Sequence, residues 1–124
     1  ALPAYTEYIR KSRRAEAITL LNRLSQEQER WRASCPTYAT SAAAPANDGS
    51  CNTAARGLNT PNPSSGYYVA AIPAATAASY AVRATATGPQ ASDARCATFT
   101  LIVDGGDFAY ASTGTAAPAV CWSR

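Results

Sequence analysis

No Gly or Pro interrupts the chain between Ala4 and Trp31, and this unbroken run constrains the fold more than any other feature. Arg, Ala, Glu, Leu and Gln fill it, all good helix formers. Pro3 suits a first helical turn, where its missing N–H is not needed. The run predicts one long helix over 4–31. Ala17, Leu20, Leu21, Leu24, Gln28 and Trp31 recur at helical spacing and make one stripe, apolar apart from Gln28, that faces a core. The first half of the run is different. Tyr5, Tyr8 and Ile9 form a small patch, and Arg10, Lys11, Arg13 and Arg14 follow directly. That half has too few apolar residues for the domain to pack it, so it reads as a stalk.

Charge divides the chain in the same way. Residues 1–32 hold seven basic side chains (Arg10, Lys11, Arg13, Arg14, Arg23, Arg30, Arg32) against four acidic ones (Glu7, Glu16, Glu27, Glu29). The remainder is balanced, so the whole formal excess of +3 sits in the first quarter. At 124 residues the length fits one domain with a modest core. No apolar run is long enough to cross a membrane.

Residues 33–65 are rich in Pro, Asn, Ser and Ala and nearly free of large aliphatics, which predicts a long loop lying mostly outside the core. Loops of that length are usually functional or disordered. Cys35, Cys51, Cys96 and Cys121 allow three pairings if all are oxidised. An even count in a small domain favours two bridges and an oxidising compartment. With no His and no C-x-x-C pair, a zinc site is not expected. A Cys35–Cys51 bridge would close half of the loop and stabilise by roughly 3 kcal/mol.

Strand signals follow at Gly66–Ile72, Ser79–Thr87 and Ala97–Asp104, each β-branched or aromatic with partial alternation. The stretch "DGGDF" turns the chain into Phe108–Ser112, a hairpin signal. A last short segment, Ala119–Trp122, carries Cys121. The expected fold is therefore α+β: a long N-terminal helix (1–32), a helix-to-sheet loop (33–65), and a roughly four-stranded antiparallel sheet with the C-terminal cysteine region (66–124), all one domain. Tyr67 and Tyr68 should point to opposite sheet faces.

No catalytic constellation is present. Without His, with a single Lys and without G-x-S-x-G, the chain has no nucleophile–base pair, and it has no phosphate-cradling glycine loop. No enzyme activity, cofactor or metal is expected. The two carboxylates of Asp104-Gly105-Gly106-Asp107 fall short of the six or more oxygens calcium takes, and a turn explains both glycines.

The order of helix, loop and antiparallel sheet resembles a type IV pilin. "ALPAYTEYIRKSRRAEA" is similar to the stretch that follows the membrane-spanning half of a pilin helix. "GYYV", "RATATGPQASDARC", "TLIVDGG" and the terminal "CW" resemble the minor-pilin branch that includes DNA-uptake pilins. The resemblance implies about twenty further apolar residues upstream of Ala1, with a processed N-terminal residue. It implies a C-terminal loop closed by Cys96–Cys121, whose loss should hurt more than loss of the Cys35 bridge. It further implies a structural subunit incorporated into a bacterial pilus or initiating it, and acting in adhesion, motility or DNA uptake. Such a subunit sits in the inner membrane facing the periplasm, and then at the cell surface. Its partners would be other pilin subunits, the membrane and double-stranded DNA. Tyr5, Tyr8, Arg10, Lys11, Arg13 and Arg14 are then expected to pack against neighbouring subunits, so charge reversal at Arg13 and Arg14 should spare the isolated domain. Basic residues after a membrane span would ordinarily stay cytoplasmic, whereas the cysteines argue for the outside. Arg83 and Arg95 are the expected DNA contacts, on the half a filament would expose. A DNA receptor is the second reading. A secretion-system pseudopilin is a third, disfavoured by the terminal disulfide loop.

Overall fold

The computed structural model describes residues 3–122. Helix α1 (Pro3–Arg32) leads, without interruption, into the irregular segment 33–67. Strands β1 (Tyr68–Ala75), β2 (Ser79–Ala86), β3 (Thr98–Asp104) and β4 (Asp107–Thr113) then form one antiparallel meander in the order β1-β2-β3-β4. A 3-10 turn (Gly88–Ser92) lies in the β2–β3 connection, and a single helical turn, α2 (Pro118–Cys121), ends the described chain. The α+β expectation holds, and so does the long helix.

The helix packs on one face of the sheet. Ala17, Leu20, Leu21, Leu24, Gln28 and Trp31 are all buried, as their spacing requires, and Ile18 joins them. From the sheet, Tyr68, Tyr80, Val82, Phe99, Leu101 and Val103 meet this stripe. Inward residues alternate with outward ones along β2 and β3, which is the period-2 pattern of a half-covered sheet. Tyr67 and Tyr68 do not take opposite sheet faces as expected, because Tyr67 precedes β1 and packs toward the helix. Tyr68 is fully buried, and Tyr67 lies half-buried under Arg13, whose Cζ is 4.2 Å from the ring centroid.

β1 runs on through Pro73, which the sequence did not suggest. Pro cannot donate to a ladder, and β1 is an edge strand whose register slips between Ala71 and Ala74. The slip absorbs the missing donor. The β3–β4 turn is Gly105-Gly106, both at positive φ (59° and 91°), between the paired Asp104 and Asp107. A two-residue hairpin loop of this hand demands that conformation.

The loop has no regular elements and most of its residues are exposed, as expected, but it is fastened to the core at several points. Cys35, Ala39, Ala42 and Leu58 are buried, and so is Thr60. The Gln28 side-chain amide closes on Ala39 in both directions, donating to its carbonyl at 2.8 Å and accepting from its N–H at 2.9 Å. That bond explains a polar residue within the apolar stripe. The loop doubles back on itself, with Leu58 N–H donating to Ser41 O and Thr60 N–H to Ala42 O. Gly57 sits at this crossing, where a Cβ would fall 2.3 Å from Ser41 O. Cys35 is bonded to Cys51 and Cys96 to Cys121. The second bridge ties α2 beneath Trp122, whose ring meets Phe99 and Tyr110 edge-on and whose Nε1–H donates to Ala111 O at 2.9 Å.

Because the loop is packed, the two bridges should matter about equally. Replacing Cys35 and Cys51 together by Ser should cost about 3 kcal/mol, and replacing Cys96 and Cys121 a similar amount. Urea unfolding of the two variants under identical conditions checks this. A Cys35/Cys51 loss below about 1 kcal/mol would mean that the packed loop is uncoupled from the rest.

Candidate functional site

Positions on the first turns of α1 diverge in three directions, because helix faces repeat every three to four residues. Arg14 points inward. It is 3% exposed and grips Asp93, itself 1% exposed, through Nε–Oδ2 at 2.7 Å and Nη2–Oδ1 at 2.8 Å. This corrects the expectation of subunit packing for Arg14: its charge belongs to the domain's own fold. Gln90, also fully buried, donates from Nε2 toward Asp93 Oδ2, Tyr68 Oη and the Arg10 carbonyl. Glu7 Oε1 accepts from both Arg14 Nη1 and Arg95 Nη1 at 3.1 Å. The Asp93 hydrogen bonds and nearby negative charges raise the Arg14 pKa against the opposing effect of burial.

Arg10 and Arg13 turn toward the β2–β3 connection. With Tyr5, Thr6 and Ile9 they face Pro89 and Ser92 across an open cleft of about 210 Å³. Arg10 donates from Nη2 to Ser92 Oγ at 3.2 Å. Tyr8, Lys11, Ser12 and Ala15 occupy the third side, a shallow surface lined by the helix alone. Tyr5 and Tyr8 are 60% and 70% exposed.

The outer face of the sheet is a separate surface. Cross-strand register sets Val69, Thr85, Thr98 and Thr113 in one row, and Ala71, Arg83, Thr100 and Ala111 in the next. Arg83 stands exposed amid these small and hydroxyl side chains. Arg95 is not part of this face. It leaves the β2–β3 connection and pairs with Glu7 on the helix, so the two expected DNA contacts are not brought together.

Asp93, Gln90 and Tyr68 carry the buried site, and sequence reasoning gave none of them that role. Asp93 is the lone carboxylate between Asp48 and Asp104, and that isolation in an Ala/Ser/Thr body was the available signal.

A long helix laid on a four-stranded antiparallel meander, with a C-terminal disulfide behind the last strand, defines a type IV pilin domain. A family model described as type IV minor pilin ComP, DNA uptake sequence receptor, matches residues 3–100, and the chain belongs to that family. The match takes in α1, the loop, β1, β2 and the start of β3, while β4 and α2 lie beyond it. The family is one of structural pilins, not of enzymes. No curated protein and no solved structure matches the chain.

Arg14→Leu should cost about 3–5 kcal/mol, because it leaves a buried carboxylate without its partner. Adding Asp93→Leu to Arg14→Leu should recover much of that loss, since an apolar pair of similar volume removes the desolvation penalty. A double-mutant cycle in urea measures both, and a single-variant loss under about 1 kcal/mol would contradict the burial.

Burial pushes the Tyr68 phenol up to about 12, partly opposed by its hydrogen bond from Gln90. Tyr80 shifts the same way, chiefly by burial. A raised folded-state pKa favours the neutral ring in the native state. Its contribution is therefore complete below the unfolded value near 10 and is lost as the pH climbs from there through 12. Urea midpoints should show no pH dependence from this group up to about pH 10 and a decline above it. Tyr68→Phe should soften that decline.

Proposed function

We propose that this chain is the DNA-receiving subunit of a type IV pilus, holding duplex DNA on the outer face of its sheet so that it can be taken up. The observation that carries the reading is membership of a family described as a DNA uptake sequence receptor, across residues 3–100. The sequence alone puts assembly first and DNA second; the family description supports placing DNA first, ahead of assembly and of the secretion-system pseudopilin reading.

The chemistry of the outer face supports this. Arg83 is exposed, with Thr85, Thr98 and Thr100 beside it by register, and hydroxyls and guanidinium groups are the usual donors to phosphate oxygens. A single cation gives little electrostatic affinity, so the contact would be weak at physiological salt unless base edges are also read. Arg95 is the poorer candidate, because Glu7 already neutralises it.

Incorporation into the filament, with any part in adhesion or motility, would run through the helix surface of Tyr8, Lys11, Ser12 and Ala15, which has no partner element among the described residues. An apolar segment upstream of Ala1 would hold the subunit in the inner membrane before assembly. The filament would then carry it to the cell surface.

Titration of fluorescent duplex DNA into the domain across a range of salt concentrations tests the reading. The logarithm of affinity should fall linearly with that of salt, by about 0.9 per phosphate neutralised. Arg83→Ala should reduce that slope by about one and weaken binding, while Arg95→Ala should do less. An Arg83→Ala variant with unchanged affinity and slope would place DNA elsewhere.

A further inference from the structure

We propose that the cleft between the start of α1 and the β2–β3 connection binds the phosphate of an anionic phospholipid headgroup, so that the domain rests against a bilayer surface through Tyr5, Arg10 and Arg13. This goes beyond the DNA reading and does not depend on it.

The first observation is uncompensated charge. Every carboxylate near this part of the helix is engaged elsewhere: Glu7 with Arg14 and Arg95, Asp93 with Arg14, and Glu16 with Ser65. Arg10, Lys11 and Arg13 have no ion pair among the described residues. The second observation is that two of these cations are held in place. The Arg10 guanidinium is fixed on Ser92 Oγ and its backbone carbonyl accepts from the buried Gln90, while the Arg13 guanidinium lies over the Tyr67 ring. Both border a cleft of about 210 Å³, wide enough for a phosphate group.

The third observation selects the source of that phosphate. Tyr5, 60% exposed, and Ile9 line the same cleft as the two arginines. Tyrosine with aliphatic surface beside Lys and Arg suits a membrane interface, where amphipathic rings sit at headgroup level and cations reach the phosphates. A DNA backbone would reward more cations, spaced along its phosphates, and would gain nothing from the half-buried Ile9 that lines the cleft. Arg14 has left this surface for Asp93, so the site rests on fewer charges than "RKSRR" advertises, and the attraction should be modest and sensitive to salt.

Co-sedimentation of the chain with vesicles tests the inference, using phosphatidylglycerol mixed with phosphatidylethanolamine against phosphatidylcholine alone. Binding should appear only on the anionic vesicles and fade at high salt. Arg10→Ala with Arg13→Ala should lower the partition coefficient about thirtyfold, since each cation at such a surface is worth on the order of a fivefold change. Arg10→Lys with Arg13→Lys should retain most of it. Tyr5→Ala, at an exposed position, should lower binding severalfold without altering melting, which covers the case in which the arginine variant unfolds. Arg83→Ala should leave vesicle binding unchanged. Equal partition onto both vesicle types, or none onto either, would overturn the inference. So would an arginine variant that loses duplex DNA while keeping its vesicle binding, because the cleft would then serve a nucleic-acid backbone.

Discussion

A guanidinium and a carboxylate, both removed from water, set the arrangement of the whole domain. Arg14 and Asp93 lie 79 positions apart in sequence, one on the helix and the other in the β2–β3 connection. Separating them would strand two charges in a low-dielectric interior, which costs several kcal/mol, whereas a slip between apolar side chains costs far less. The pair therefore sets the axial position of α1 on the sheet more sharply than the Leu stripe can. Gln90 extends the constraint, because its amide touches the Asp93 carboxylate, the Tyr68 hydroxyl on β1 and the Arg10 carbonyl. One buried cluster thus joins the helix, the first strand and the connection. From that connection the order passes on to the C-terminus, where Gly114 packs on the Arg95 carbonyl so closely that a Cβ would fall 2.3 Å from its oxygen, and Cys96 is bonded to Cys121.

Such devices are what a chain with few large aliphatics needs. A 124-residue domain of Ala, Ser and Thr cannot rely on side-chain volume alone. Its loop shows how small residues compensate. Ala39 and Ala42 let the backbone come close to the helix, so the Gln28 amide can close on Ala39 from both sides. The return crossing at Gly57 is possible because no Cβ intrudes on Ser41 O. Backbone hydrogen bonds then do much of the work that aliphatic contacts would do in a larger core.

The periodic features could be read from the sequence and the compensating ones could not. Leu20, Leu21, Leu24 and Trp31 repeat at 3.6, and strands β2 and β3 alternate at two, so helix, meander and core face were all accessible from pattern. The Gly105-Gly106 turn was accessible from its chemistry. What escaped depended on long-range partners. "RKSRR" looks like one uniform basic run, yet a helix turns its members in three directions, and only the distant Asp93 decides that Arg14 goes inward. The loop's few anchoring points in the core escaped because they rest on Ala residues buried by close backbone approach more than on large apolar side chains. Arg83 and Arg95 looked equivalent in sequence. The fold leaves the first exposed on the sheet and gives the second to Glu7.

The disposition of acidic residues explains why this surface is positive where it is. The excess of three charges does not arise from an unusual number of basic residues. It becomes local because the acids near the stalk are engaged, Asp93 inside, Glu7 between two arginines and Glu16 on Ser65, whereas Asp104 and Asp107 stand exposed at the far β3–β4 turn. Arg10, Lys11, Arg13, Arg23, Arg32 and Arg83 have no ion pair among the described residues, the first five on the helix and the last on the far side of the sheet. The two positive surfaces are thus consequences of the same internal economy, yet they sit on different elements and face different ways. Were both proposed contacts made, that separation would let the outer face meet DNA and the stalk a lipid headgroup without either blocking the other. The buried pair that orders the fold therefore also determines which charges remain for binding, since an Arg14 left outside would have drawn Glu7 or added a fourth cation to the stalk, and an Asp93 left outside would have neutralised one of the cations now free.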